Sequence, residues 1–81
     1  MTESAIKSAI ERIVGGTYSI WTIGVTDNPT RRRGEHGNPN TWHQWDADTE
    51  TIARDVERYF KEKGMKGDIG GGGSADYVYI F

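Results

Sequence analysis

The run TYSIWTIGVT, from Thr17 to Thr26, is the strongest strand signal in the chain, because β-branched and aromatic residues suit a pleated, half-buried surface. Tyr18, Ile20, Thr22 and Gly24 alternate with Ser19, Trp21, Ile23 and Val25, which assigns each set to one face of a strand. A second such run, DYVYIF from Asp76 to Phe81, alternates Tyr77, Tyr79 and Phe81 with Val78 and Ile80. Any sheet in this protein must therefore be built around these segments.

The intervening sequence is punctuated by helices and glycines. Ile6, Ile10 and Ile13 recur at helical spacing between Ser4 and Val14, with Thr2 or Ser4 able to cap the first turn and Gly15–Gly16 able to end the helix. Pro29, after Asp27 and Asn28, suits the first turn of a short basic helix running to His36. Gly37 to Asn40 breaks regular structure, and Trp42 to Trp45 reads as a short extended or irregular segment. A longer helix follows, with Asp46 or Asp48 as its cap, Ile52, Val56, Tyr59 and Phe60 on its apolar face, and Gly64 closing it behind Lys61 and Lys63. Gly70 to Gly73 has almost no backbone preference and must be a loop. It is either a flexible cover over a small site or slack between helix and strand. It lacks the Lys-Ser/Thr ending of a nucleotide-triphosphate loop.

At 81 residues the chain has room for one domain, spanning 1–81. The expected fold is α+β: a small two- or three-stranded antiparallel sheet holding Thr17 to Val25 and Tyr77 to Phe81, packed against helices. Trp42 to Trp45 is a candidate third strand, and the N-terminal helix is expected to plug one face of the sheet. Only 35% of residues are hydrophobic, with three tryptophans and four tyrosines among them, so aromatic rings are expected to fill much of the core or cover its rim. No stretch approaches the ~20 apolar residues of a membrane span, and the N-terminus does not read as a secretory signal. The expectation is a cytoplasmic protein with no membrane partner. With no cysteine, disulfides, thiolate nucleophiles and cysteine-held zinc are excluded. Ten basic side chains face twelve acidic ones for a net charge of -2, which gives no whole-chain signature of nucleic-acid binding.

The most informative stretch is TIGVTDNPTRRRGEH, from Thr22 to His36. It resembles the second half of the GIY-YIG nuclease motif, in which Tyr-Ile-Gly is followed after one residue by Thr, then by a turn and a short helix carrying Arg, with His four residues later. Ile23, Gly24, Thr26, Arg32 and His36 stand at those places. Ala53 and Glu57, in IARDVERYF, resemble the family's second helix, whose Glu binds the divalent metal. The chain departs from the pattern at Thr22, which replaces the motif tyrosine behind Trp21, and it has no upstream Gly-Ile-Tyr. The C-terminal Tyr77-Val78-Tyr79 is similar to the family's first strand, with Tyr79 at the tyrosine position, which would make the chain a rearranged version. Alternatively, DYVYIF is the family's ordinary third strand.

The resemblance implies that Arg32 clamps phosphate, Tyr79 acts as base, His36 is an alternative proton carrier and Glu57 holds Mg2+ or Mn2+. Arg31, Arg33 and Thr26 are the accompanying candidates for substrate binding. The chemistry is coherent: phosphodiester hydrolysis needs a metal, a base and a cation on the phosphate, and a guanidinium fork matches two phosphate oxygens. A tyrosine serves as base only with a depressed pKa, which Arg32 or a metal would favour.

Each residue also has a plainer reading. The arginines can be a solvated face paired with acidic neighbours, Glu57 a partner of Lys61, His36 a helix-end residue, and Tyr77 and Tyr79 ordinary cross-strand aromatics. Two functions thus compete: a metal-dependent phosphodiesterase or DNA endonuclease, and a non-catalytic module of the same fold that binds nucleic acid, a nucleotide-like ligand or a protein. A third is an interaction protein that uses exposed tryptophans or pairs with itself through open sheet edges.

Overall fold

The computed structural model of the chain describes residues 1–68 and 73–81. Helix α1 spans Glu3–Val14, strand β1 Thr22–Thr26, helix α2 Pro29–Glu35, strand β2 His43–Asp46, helix α3 Glu50–Lys63, strand β3 Lys66–Gly67 and strand β4 Tyr77–Ile80. The expected α+β class holds. The sheet is larger and more varied than expected, however, with four strands in the order β2-β4-β1-β3. β4 is antiparallel to both β1 and β2, whereas β3 runs parallel to β1. Trp42 to Trp45 does supply a strand, β2, shifted by one residue.

Local chemistry explains most element ends. The Thr2 hydroxyl accepts from the Ala5 amide at 3.2 Å and Gly15 adopts a left-handed φ of 55° at the other end of α1, a conformation that costs glycine least. Asn28 caps α2, and Pro29 occupies its first turn. The cap of α3 is Thr49, whose hydroxyl accepts from the Ile52 amide at 3.1 Å, rather than Asp46 or Asp48. Asp48 instead pairs with the Met1 ammonium at 2.8 Å.

The strand predicted from Thr17 begins only at Thr22. Tyr18–Ile20 forms a 3-10 turn, because Tyr18 is drawn inward by tertiary contacts. Its hydroxyl donates to Glu11 at 2.7 Å and its ring lies 6.2 Å from that of Phe60. The chain therefore turns over the helices before it can extend, leaving Ile20 73% exposed.

The two faces of the sheet have different jobs. Cross-strand partners share a face, so the register places Ile23 with Ile80 and His43, and Val25 with Val78 and Trp45, on one side. Ile23, Val78 and Ile80 on that side join Ala53, Val56 and Phe60 of α3 and Ile6, Ile10 and Val14 of α1 in the buried core. Trp21 and Trp45 pack against its rim. Burying each large aliphatic or aromatic side chain stabilises by about 1.5–3 kcal/mol, so this face carries most of the hydrophobic free energy. The expected plug is thus shared: α1 packs on α3, and both contribute to one apolar layer.

The opposite face holds Gly24, Tyr79 and Gln44 in one cross-strand row. Tyr79 comes from β4 and its ring crosses the neighbouring strand β1, which is open to it only because residue 24 is glycine. A Cβ built on Gly24 would lie 2.3 Å from the Tyr79 hydroxyl oxygen and 2.5 Å from Cζ. Those separations are far inside van der Waals contact, and the Trp42 ring stacked 4.7 Å away on Tyr79 limits retreat. Gly24→Ala is expected to cost about 1–3 kcal/mol in urea denaturation through overpacking. In a Tyr79→Ala background the same change should cost nearly nothing. Equal costs in the two backgrounds would show that the glycine is not making room for this ring.

Candidate functional site

Beyond Gly24, the Tyr79 phenol reaches the residue that follows β3. Its hydroxyl donates to Oδ2 of Asp68, and the same oxygen lies 2.8 Å from Nε2 of His36, the residue that ends α2. Asp68 is placed by its main chain: its amide donates to the Ile23 carbonyl at 2.8 Å, prolonging the parallel β3 pairing by one bond. Three separate segments therefore meet at one carboxylate oxygen. Aromatic rings wall the cluster. His36 lies 4.5 Å from Phe81, and Trp42 stacks on Tyr79 with an interplanar angle of 9° and on Phe81 at 5.4 Å.

The electrostatics follow from this geometry. Burial pushes the Asp68 carboxyl up, but hydrogen bonds from Tyr79 and His36, with the charges of His36 and Arg32, outweigh burial and hold it below its ordinary value. Tyr79 moves the other way. Burial is the largest cause, reinforced by its bond to Asp68 and by the Asp68 charge, and the opposing Arg32 charge does not outweigh them, so the phenol stays protonated well above its ordinary range. The depressed pKa expected of a tyrosine base is not found. Tyr79 is a proton donor held in place.

Arg32 projects from α2 with its side chain 12% exposed and Nη1 3.2 Å from Glu35. Its Nε is buried without a hydrogen-bond partner among the described residues, an arrangement that leaves a desolvated donor unsatisfied. Glu57, on α3, is half-buried, and burial raises its pKa. Lys61 and Arg54 pull it back only in part, and the Asp68 charge adds to the rise. Among the described residues Glu57 enters no ion pair, including the one anticipated with Lys61. The Arg32 and Glu57 charges both reach Tyr79, with opposite effects, although the two side chains do not pair with each other.

The remaining candidates occupy structural roles. Arg31 is exposed and pairs with Asp27 at 3.2 Å. Arg33 donates from Nη2 to the Pro39 carbonyl at 3.0 Å, and its Nε is also buried and without a partner among the described residues. Thr26 is buried, and its hydroxyl accepts from the Asn28 amide at 3.0 Å, fixing the turn into α2. Tyr77 sits a row away from Tyr79, opposite Thr26 and Asp46. Of the glycine run, Gly70 to Gly72 lies outside the described residues, while Gly73 takes a positive φ of 116° beside Asp27.

Sequence reasoning passed over Asp68, the hub of the cluster, and Trp42 as its wall. The available signal was slight: an acid separated by Ile69 from a glycine run, in a stretch otherwise free of charge until Asp76. No protein-family model, curated protein or solved structure matches the chain. Among the described residues, no helix is long and apolar enough to cross a membrane.

The shifts have opposite consequences for stability. Asp68 has a lowered folded pKa, so its contribution is present above the unfolded carboxylate value of about 3.9 and lost as pH falls through the folded one. Asp68→Asn should therefore melt below wild type at pH 7, the gap narrowing in acid. Glu57 has a raised folded pKa, so its ionised form disfavours folding, increasingly as pH rises from the unfolded value through the folded one. Glu57→Gln should melt above wild type at pH 7, with the gain vanishing in acid. Parallel melting-temperature profiles for both variants and wild type would contradict these assignments.

Proposed function

We propose that the protein is a phosphodiester-cleaving domain of GIY-YIG-like character, acting on DNA or a related phosphodiester with a magnesium or manganese ion. One observation carries this reading: Arg32, His36 and Tyr79, three residues that the motif resemblance singles out, gather with Asp68 on the face of the sheet opposite the apolar core, within the field of Glu57. The direct opposition of Tyr79 to Gly24 supports the rearranged form of that family, with its first strand at the C-terminus.

The residues present fit a water-rich divalent ion. Among the described residues no group of three or more His, Asp or Glu side chains could hold a metal, so a protein cage is not offered. Magnesium, however, commonly keeps its waters and takes only one or two carboxylates. Glu57 meets that lesser demand: its oxygens lack an ion-pair partner among the described residues, and burial disfavours its charge, a cost that a cation relieves. When bound, the ion supplies charge neutralisation at the phosphate.

The other steps belong to the chain. Arg32 offers its guanidinium to nonbridging phosphate oxygens, exchanging the exposed Glu35 carboxylate for a better-matched anion. His36 accepts the proton of the attacking water as the new P–O bond forms and the bond to the leaving oxygen breaks, that oxygen keeping the bonding electron pair and taking a proton from solvent water. Tyr79 stays neutral throughout and keeps its proton on Asp68.

Supercoiled plasmid should be nicked in the presence of magnesium and left intact with a chelator. Glu57→Ala, Arg32→Ala and His36→Ala should each lower the rate by about 10²-fold or more, as loss of a general base or charge stabiliser does, while Tyr79→Phe, which removes one of the two bonds that hold Asp68, should lower it less. Failure of folded wild-type protein to cut DNA across a magnesium and manganese titration would remove the catalytic reading. A second reading, a binding module without catalysis, draws on the Arg32–Glu35 pair and the raised Tyr79 pKa. It would be indicated by DNA affinity that falls steeply with salt and no cutting.

A further inference from the structure

We infer that Asp68 is a positioning residue that fixes the imidazole of His36 in a single tautomer, with the proton on Nε2 and Nδ1 left bare as the proton-accepting atom. The inference deepens the cleavage reading, because it names the atom through which His36 would work.

The argument rests on one shared oxygen. Oδ2 of Asp68 receives the Tyr79 hydroxyl and also lies 2.8 Å from Nε2 of His36. Tyr79 cannot reverse its bond by accepting from an ionised carboxylate, which has no proton to give. The contact at Nε2 is then attractive only if that nitrogen carries a hydrogen, for a bare nitrogen would set its lone pair against an anionic oxygen. In neutral imidazole one nitrogen is protonated and the other is an acceptor, so fixing the hydrogen on Nε2 leaves Nδ1 free to accept. Among the described residues Nδ1 has no hydrogen-bond partner. The Phe81 ring at 4.5 Å and the Trp42 ring at 6.5 Å restrict reorientation of the imidazole.

Asp68 itself is secured twice, by the Tyr79 hydroxyl and by the main-chain bond to Ile23. Tyr79 thereby acquires a role that its raised pKa allows: it anchors the carboxylate that orients the histidine. When Nδ1 takes a proton from water, the imidazolium formed keeps its Nε2 hydrogen on Asp68, whose negative charge stabilises it. No proton passes to the carboxylate. This arrangement of an acid holding a base in the productive tautomer is general to histidine chemistry, and Asp68 would act through His36 without touching substrate.

The test is spectroscopic and does not require turnover. Long-range proton–nitrogen correlation spectra of 15N-labelled wild-type protein, at a pH where His36 is neutral, should show Nε2 protonated and Nδ1 bare. A protonated Nδ1, or an even mixture of the two forms, would overturn the inference even if no variant could be purified. In Asp68→Asn, where the amide can either donate or accept, the single form should give way to a mixture; an unchanged spectrum would equally count against a positioning role. On plasmid, Asp68→Asn should lower kcat on the order of 10²-fold with KM little altered. Wild-type protein that shows the expected tautomer but cuts nothing would leave the positioning intact and remove the catalytic reading alone.

Discussion

The missing side chain at Gly24 is the constraint on which the polar half of this protein depends. A phenol starting on β4 can meet the carboxylate of the residue after β3 only by lying across the strand between them, and a Cβ at residue 24 of that strand would collide with the ring. Once the crossing is open, the remaining contacts follow in order. Tyr79 secures Asp68, Asp68 secures His36, and Trp42 and Phe81 close over the assembly.

The division of labour between sheet faces explains how so small a chain tolerates unfavourable electrostatics. The Arg32 and Arg33 Nε atoms, without partners among the described residues, and a half-buried glutamate all oppose folding. They are accommodated because a separate apolar layer, built from α1, α3 and the other face of the same strands, supplies the hydrophobic stabilisation. Side chains that lower stability without improving packing are found where chemistry is done, since pKa values are displaced there by burial and neighbouring charges. Glu57 fits that pattern, while the exposed Arg31–Asp27 pair does not.

What could be read in the chain beforehand follows from the range of the forces involved. Helix ends at Thr2, Gly15, Asn28 and Gly64 depend on backbone groups a few residues away, so composition reveals them. The Thr17 to Ile20 segment has strand-forming residues but is captured by Glu11 and Phe60, which no local pattern displays. The β3 pair, Lys66 and Gly67, is too short and polar for any periodicity and exists because β1 offers it an edge. The family resemblance singled out Arg32, His36, Tyr79 and Glu57 as candidates. It passed over Asp68, because the link from Tyr79 to Asp68 arises from a ring spanning an intervening strand, a purely tertiary event.

The parallel pairing of β3 has an implication of its own. Residue 68 is held in the sheet by its amide nitrogen through the bond to Ile23, so the strand does not require an acid there. Backbone registration and side-chain identity are independent at this position. The scaffold can present a different side chain from the same mount, so what faces Tyr79 and His36 can be exchanged at residue 68 while its main-chain bond to Ile23 stays.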